Sequence, residues 1–375
     1  MAGLYVHIPF CKSKCSYCDF FSVASLVSKD KLVGAMVKEI ELQKNYLERE
    51  SLKTIYFGGG TPSVLSIKDI DSILTTINKY HVLENHVEIT LEANPDDLKM
   101  DYLQNLRKLG INRLSIGVQS FIDRDLELMK RRHNANDALL VIKNAQKCNF
   151  DNISVDLIYG LPGLTINDWI YNLDSLLDLN VQHISAYNLT IEQNTIFNKW
   201  LKQGKINLPS DAESIKQFEI LIEKTNDKKF VHYEISNFAL DGFFSEHNSN
   251  YWNNEKYLGI GPSAHSYNLS SRQWNISSLP EYISVIIQGN VPCEQEILTI
   301  NDKYNDYILT SLRTLWGISL RKVENDFGKL YFDFLLKSAE TFVKSNHLIK
   351  NNEKICLTIK GIFIADLIIR EMLKV

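Results

Sequence analysis

The stretch His7-Ile-Pro-Phe-Cys-Lys-Ser-Lys-Cys-Ser-Tyr-Cys18 places three cysteines near the start of the chain, spaced as Cys-x3-Cys-x2-Cys. No fourth cysteine lies nearby. Thiolates hold iron–sulfur clusters, and a [4Fe–4S] cluster usually has four cysteine ligands. Three thiolates leave one iron open to another ligand. Cys11, Cys15 and Cys18 therefore predict a reactive iron–sulfur site.

Two other uses of clustered cysteines stay open at this stage. A closed zinc site usually has four ligands in two pairs, and His7 could supply the fourth, although no second Cys pair follows. A disulfide is disfavoured because six cysteines in 375 residues are sparse and no signal peptide precedes them. The remaining cysteines have apolar neighbours and are predicted to be buried thiols: Cys148, Cys293 and Cys356.

The composition is that of an ordinary globular protein, with 45% hydrophobic and 23% charged residues and a net charge of −4. No domain-scale basic patch is present, so we expect no nucleic-acid partner. The apolar runs are shorter than the roughly 20 residues that a spanning helix needs, so we expect no transmembrane segment. A strand begins almost at the N-terminus and leaves no room for a targeting segment, which predicts a cytoplasmic protein.

Short β-branched and aromatic segments alternate with amphipathic segments over the first 240 residues. Strands are predicted at residues 4–8, 54–57, 87–93, 113–118, 153–159, 183–189 and 232–238. Helices are predicted at residues 29–49, 67–79, 101–108, 123–130, 136–147, 166–177 and 211–225. This alternation indicates βαβ units and a parallel sheet. The predicted fold class is α/β, with a partial TIM-like (β/α)6 barrel.

The pattern changes from about residue 279. Helices are predicted at residues 305–316, 320–327, 331–344 and 360–373, with a hairpin at 347–358 that turns at Asn351-Asn352. This order resembles a winged-helix module, although its acidic residues argue against DNA binding. We expect three parts: a barrel at 1–240, a connecting segment at 241–300, and a small, mainly helical, winged-helix-like domain at 301–375.

Polar residues collect at the ends of the predicted strands where parallel barrels carry their chemistry, and Asp156 lies inside the fifth strand, before Gly160. After the three cysteines they are Gly58-Gly59-Gly60-Thr61-Pro62, Glu92, Gln119, Ser120, Asp156, Asn188 and Thr190. Residues in register at six strand ends predict one shared mouth. The glycines let the backbone approach a ligand closely, although a tight βα turn would explain them equally well.

Longer motifs carry a resemblance to a known family. The cysteine spacing, with Tyr17 before the last cysteine and Gly-Gly-Gly-Thr-Pro on the next strand, resembles the radical S-adenosylmethionine (SAM) superfamily. Leu-Tyr-Val-His-Ile-Pro-Phe-Cys at 4–11, Leu-Ser-Ile-Gly-Val-Gln at 114–119 and Asp-Leu-Ile-Tyr-Gly-Leu-Pro at 156–162 resemble the oxygen-independent coproporphyrinogen III oxidase family. This resemblance covers nearly the whole chain.

The resemblance implies a radical SAM barrel that binds a [4Fe–4S] cluster on Cys11, Cys15 and Cys18, with S-adenosyl-L-methionine on the open iron. The implied SAM-binding residues are Tyr5, Tyr17, Gly60, Thr61, Glu92, Gln119, Arg131 and Asp156. Several of these make chemical sense, because carboxylates can bind ribose hydroxyls or an ammonium group and Arg131 can pair with a carboxylate. Without the resemblance, Arg131 in Lys130-Arg131-Arg132-His133 would be assigned to a solvated helix face.

Two features separate oxidases from haem chaperones within this family. The oxidase pattern has a further cysteine two residues after the third, where this chain has Phe20, and the oxidases begin with a longer N-terminal segment. His247-Asn-Ser-Asn-Tyr-Trp252 also resembles the His-Asn…Tyr-Trp motif of the HemW-type haem chaperones. That motif implies haem binding by His247 rather than His265. A loop histidine beside a core Tyr-Trp pair is the alternative.

The resemblance thus implies a haem chaperone that transfers haem to an acceptor, such as a membrane respiratory protein. The alternative is an oxygen-independent coproporphyrinogen III oxidase, which converts its substrate to protoporphyrinogen IX by radical SAM oxidative decarboxylation. Phe20 in place of the fourth cysteine argues against that oxidase activity.

Overall fold

The computed structural model describes residues 1–374. Across these residues the strands are β1 (Ala2–Ile8), β2 (Leu52–Gly59), β3 (Leu83–Ala93), β4 (Arg113–Gln119), β5 (Ile153–Tyr159), β6 (His183–Asn188), β7 (Val231–Glu234), β8 (Asn237–Ala239), β9 (Lys256–Ile260), β10 (His265–Tyr267), β11 (Ser271–Asn275), β12 (Cys293–Ile297), β13 (Ile318–Ser319), β14 (Leu348–Lys350) and β15 (Lys354–Leu357).

The helices in the same part of the chain are α1 (Lys29–Leu42), α2 (Ile67–Tyr80), α3 (Met100–Lys108), α4 (Asp123–Leu128), α5 (Ala135–Lys147), α6 (Ile166–Leu177), α7 (Ile196–Lys202), α8 (Asp211–Asp227), α9 (Glu246–Trp252), α10 (Leu279–Ile287), α11 (Ile300–Leu312), α12 (Leu320–Phe327), α13 (Lys329–Lys344), α14 (Ile359–Ile362) and α15 (Ala365–Met372). Among them, none combines the length and apolar character needed to span a bilayer.

Strands β1 to β6 pair in parallel and in chain order, with helices in each crossover. Their side chains are buried along almost their whole length, as in β1 and β5, because helices cover the outer face. Capping boxes at Ser66, Asn134 and Thr165 begin α2, α5 and α6. The α/β fold with a partial six-stranded barrel is confirmed.

The seventh predicted strand, at residues 232–238, is wrong as a single parallel strand. The chain reverses after Glu234 and forms two short antiparallel strands, β7 and β8. A side-chain hydrogen bond from Asn237 to Glu234 closes this turn. Since the turn is so short, β8 returns antiparallel to β6 and ends the parallel part of the sheet.

Residues 256–297 extend the opposite edge of the same sheet. Strand β9 pairs in parallel with β1, and β10, β11 and β12 follow in antiparallel order. The segment expected to be a connection at 241–300 therefore contributes four strands to the large sheet. The exact domain boundaries at 240 and 300 stay predictions.

The C-terminal region has its own apolar core, formed by residues between Tyr304 and Met372. Helix α12 and the hairpin of β14 and β15 lie where the sequence predicts them. The prediction of one last helix at 360–373 is wrong, because the chain forms two helices there. Non-helical backbone at Ile364 (φ −124°, ψ 27°) separates α14 from α15. The predicted helix at 29–49 likewise ends at Leu42. The helices and the three-stranded sheet confirm a mainly helical, winged-helix-like end.

A buried carboxylate joins α1 to the edge that residues 256–297 build. The Glu39 side chain is fully buried and accepts hydrogen bonds from four neutral donors: Gln43 Nε2 (2.9 Å), Asn275 Nδ2 (2.6 Å), Gly261 N (2.8 Å) and the Tyr282 hydroxyl. Burial raises the pKa of Glu39 from 4.5 to about 7. The fold therefore carries a carboxyl group that is costly to ionise.

Glu39→Gln should remove a pH-dependent part of the stability. Because the folded-state pKa lies above the unfolded one, the Glu39 contribution is complete below about pH 4.5 and is lost as the pH rises to about 7. We expect the wild-type chain to lose on the order of 2 kcal/mol relative to the variant between about pH 5 and pH 8. Thermal unfolding of both proteins across this range measures it, and a constant difference in Tm would contradict it.

Candidate functional site

The cysteine loop, residues 9–18, leaves the carboxyl end of β1 and is fixed by backbone hydrogen bonds to distant segments. Ser16 N donates to Met129 O at 3.0 Å, and Ser16 O accepts from Phe197 N at 2.9 Å. All three cysteines of the loop are free thiols and half-buried. The loop therefore presents three thiols from a well-anchored backbone.

The glycine turn, Gly60-Thr61, follows β2 and packs directly against the cysteine loop. Gly60 N donates to Ile8 O at 2.8 Å. A Cβ atom on Gly60 would lie 2.8 Å from Phe10 O and 3.0 Å from Cys11 Sγ, which leaves room for no side chain. Thr61 Oγ1 donates to Cys11 Sγ at 3.4 Å. Gly60 is therefore needed for the close approach of the two loops.

A cavity of about 620 Å³ opens where the parallel strands end. It is lined by the three cysteines, which follow β1, and by residues in or just after β2 to β6, including Gly60, Thr61, Glu92, Gln119, Asp156, Asn188 and Thr190. The structure thus brings these predicted residues to one mouth. Gly58 and Ser120 do not line it; the Ser120 hydroxyl turns into the protein and donates to Asp125 Oδ2 at 3.0 Å.

Arg131 lies in this cavity rather than on a solvated helix face. Its Nη2 donates to Asn94 Oδ1 at 2.6 Å, and its Nη1 lies 3.5 Å from Cys15 Sγ. Burial lowers the pKa of Arg131, but the neighbouring Tyr17 and Cys15 raise it more, so the guanidinium stays charged. Arg131 therefore places a permanent positive charge beside the thiols.

Two acidic side chains on β3 and β5 also line the cavity. Glu92 accepts hydrogen bonds from the Tyr56 hydroxyl at 2.8 Å and from Gly59 N at 3.2 Å, and Asp156 accepts one from Ser115 Oγ at 3.3 Å. Burial raises the pKa of Glu92 to about 7 and that of Asp156 to about 6. A cationic ligand would stabilise their ionised forms, so this part of the cavity suits an ammonium or sulfonium group.

His247 and Tyr5 lie deeper in the barrel, in an inner cavity of about 220 Å³ that shares Glu92 and Asp156 with the outer one. The Tyr5 ring stacks 6.2 Å from the buried His247 ring. Both ring nitrogens of His247 are hydrogen-bonded: Nδ1 to Thr54 Oγ1 at 2.7 Å and Nε2 to the Tyr251 hydroxyl at 2.9 Å. Tyr17, by contrast, lines the outer cavity.

Other predicted residues lie away from both cavities. His265 is exposed on β10 and stacks 6.2 Å from Trp274. Cys148 is buried as predicted, but the prediction is wrong for Cys293 and Cys356, which are half-buried. Cys293 lies on the edge strand β12, which has one unpaired side, and Cys356 lies in the small three-stranded sheet.

The residues of the outer cavity fit a polar ligand beside an iron–sulfur cluster. Gln119 has left-handed backbone (φ 71°), and its Oε1 and Arg131 Nε are buried without hydrogen-bond partners. Buried polar atoms normally have a hydrogen-bond partner, which a polar ligand in this cavity would supply. Within residues 1–374, no three His, Cys, Asp or Glu side chains converge as ligands of one metal ion. In a cluster, each thiolate instead binds its own iron.

Comparison with known proteins agrees with this geometry. Residues 5–176 match the family model described as the radical SAM superfamily. The chain is 34% identical over 367 residues to the heme chaperone HemW of Bacillus subtilis, covering 96% of both chains. It is also 34% identical to HemW of Lactococcus lactis, covering 95% of this chain and 93% of that one.

The chain belongs to the HemW family. Its superfamily implies a [4Fe–4S] cluster and SAM, in agreement with the cysteine loop and the outer cavity. The solved structure of coproporphyrinogen III oxidase (HemN) from Escherichia coli has the same fold, with a TM-score of 0.87 over 100% of this chain and 90% of that one. Its sequence identity is 23%, so this similarity describes the fold.

Two residues of this HemW-family site, Asn94 and Arg113, were not predicted from the sequence. Asn94 connects two predicted residues, since its Nδ2 donates to Thr61 Oγ1 at 3.3 Å and its Oδ1 accepts from Arg131. Arg113 is buried and lines the inner cavity. Asn94 follows a strand directly, which was the available signal. Arg113 had none, because a charged residue at the start of a strand usually faces water.

Gly60→Ala should displace the cysteine loop, because the added methyl group would press on the Phe10 carbonyl of the backbone. We expect about 1–3 kcal/mol of destabilisation and a lower iron content after anaerobic reconstitution. Gly34→Ala is the matched control: Gly34 lies in α1 with open space around its Cβ position, and the change should stabilise the helix by about 0.5–1 kcal/mol. Equal iron contents in the two variants would contradict the assignment.

Proposed function

We propose that this protein is a haem chaperone that binds a [4Fe–4S] cluster, SAM and haem, and transfers haem to an acceptor protein. The observation that supports this most directly is the outer cavity, which joins three cysteine thiols to polar residues in or just after β2 to β6. Phe20, which is 72% exposed, lines that cavity where the oxidase pattern has its fourth cysteine. The names of the HemW relatives support the same function.

Cys11, Cys15 and Cys18 would hold the cluster, and Gly60 and Thr61 would meet the methionine part of SAM. When bound, the cluster and SAM supply one-electron chemistry. Arg131 would pair with the SAM carboxylate, because a guanidinium binds carboxylates through charge-assisted hydrogen bonds. Glu92 and Asp156 would bind the ammonium group or the ribose hydroxyls, and Gln119 would use its free Oε1. Tyr17 would flank the cofactor in the outer cavity, and Tyr5 would lie on its inner side, in the inner cavity.

His247 is the proposed haem ligand, and its surroundings specify what binding requires. Burial lowers the pKa of His247 to about 3, which keeps the imidazole neutral, as a metal ligand must be. Its Nε2 is bonded to the Tyr251 hydroxyl, and the inner cavity is smaller than the roughly 300–1,000 Å³ usual for organic ligands. Haem binding at His247 therefore requires α9 to move and Tyr251 to release the ring.

The acceptor is proposed to be a haem protein, such as a membrane respiratory protein, and a cytoplasmic location stays a prediction. The second candidate is oxygen-independent coproporphyrinogen III oxidase, which the shared HemN fold favours. Phe20 argues against it, since a phenylalanine cannot replace a cysteine thiol.

A paired assay on one reconstituted sample separates the two functions. We expect haem addition to give a saturable Soret band and coproporphyrinogen III to stay unconverted with SAM and a reductant. Cys15→Ser should lose the visible absorption of the cluster. Oxidase-like turnover would reject the chaperone function, and a full cluster in Cys15→Ser would reject the ligand assignment.

Opposite changes at two neighbouring residues test the haem ligand. His247→Ala should weaken haem binding about tenfold or more, because losing even a residue that only orients a metal ligand typically costs about 10- to 100-fold. Tyr251→Phe should strengthen it, because the hydroxyl no longer competes for Nε2. Soret titrations measure both, with exposed His265→Ala as the control. Unchanged titrations for His247→Ala and Tyr251→Phe would remove His247 as the ligand.

A further inference from the structure

Asp97 lies directly behind the cysteine loop and outside the outer cavity. Its side chain is 1% exposed. It accepts hydrogen bonds from three donors: Lys12 Nζ (2.6 Å), Ser63 Oγ (2.9 Å) and Arg132 Nη2 (3.3 Å). Two of these donors are cations, and bonds between an ionised acceptor and an ionised donor are the strong ones.

The three donors come from three different parts of the site. Lys12 lies between Cys11 and Cys15. Ser63 lies in the short helical turn Pro62–Val64, which follows the glycine turn directly. Arg132 follows Arg131 in the chain. One buried carboxylate thus connects the cysteine loop, the glycine turn and the arginine segment.

Asp97 contacts the cysteine loop through Lys12 alone. The Lys12 side chain is 41% exposed, so water would otherwise solvate its ammonium group. Arg132 has a second carboxylate partner, Asp96, and keeps an ion pair without Asp97. Losing the Asp97 charge therefore affects the cysteine loop more than the arginine segment.

We propose that Asp97 is a positioning residue that holds the cysteine loop closed through Lys12, so that the three thiols stay placed for the cluster. The inference rests on the proposed cluster site. A first consequence is that, in the metal-free chain, loss of the Asp97 charge lets the cysteine loop open more often, and its thiols then react faster. A second is that the loaded protein loses iron faster.

Alkylation of the metal-free chain tests the first consequence. Asp97→Asn and Lys12→Met are compared with wild type, and mass spectrometry follows iodoacetamide labelling of each cysteine. We expect Cys11, Cys15 and Cys18 to react about fivefold to tenfold faster in Asp97→Asn, as the net contribution of one typical hydrogen bond implies. Lys12→Met should reproduce most of this increase, and the double variant should add little.

The chain supplies two matched controls. Cys293 and Cys356 are also half-buried and free, and their labelling rates should not change. Asp69→Asn removes a similar carboxylate, which accepts from Lys29 Nζ at 2.5 Å and from Ser66 Oγ at 2.8 Å outside the cysteine loop. Unchanged rates at the loop cysteines, or equal acceleration of all cysteines, would overturn the proposal.

Iron loss to a chelator after anaerobic reconstitution tests the second consequence. Asp97→Asn and Lys12→Met should lose iron several-fold faster than wild type and Asp69→Asn. Equal rates of loss in all four proteins would overturn the positioning role. Failure of wild type to take up iron would instead reject the proposed cluster, and the alkylation rates would still decide whether Asp97 holds the loop.

Discussion

The close contact between the glycine turn and the cysteine loop is the constraint on which the site depends. Gly60 donates to the backbone of the first strand, and its missing side chain lets Cys11 lie against it. Parallel pairing of β1 with β2 puts both loops at the same edge of the sheet. A backbone with any Cβ at this point would separate the thiols from the groups proposed to bind the cofactor.

Charge within the barrel follows a pattern that suits a zwitterionic cofactor. Arg131 lies beside Cys15, and Glu92 and Asp156 line the same cavity from β3 and β5, on either side of β4. The pKa values of both acids lie above their usual range because burial disfavours their ionised forms. A ligand that brings its own positive charge would relieve this cost, so the cavity favours such ligands over neutral ones.

The proposed haem ligand and the cluster lie at different depths of the barrel. His247 contacts Thr54 near the amino end of β2, whereas the glycine turn follows its carboxyl end. The strand from Thr54 to Gly59 spans roughly 16 Å at the usual rise per residue. The proposed cofactor and haem would therefore occupy two adjoining cavities of the barrel interior rather than one pocket. Glu92 and Asp156 line both cavities.

The barrel order, the cysteine loop and most residues of the outer cavity could be predicted from the sequence, because they depend on local periodicity and on residues at or near strand ends. The sequence could not determine the reversal after Glu234, the pairing of β9 with β1, or the partners of His247. Those depend on contacts between residues far apart in the chain. The same reason hid Asp97, whose role arises only when Lys12, Ser63 and Arg132 meet on one carboxylate.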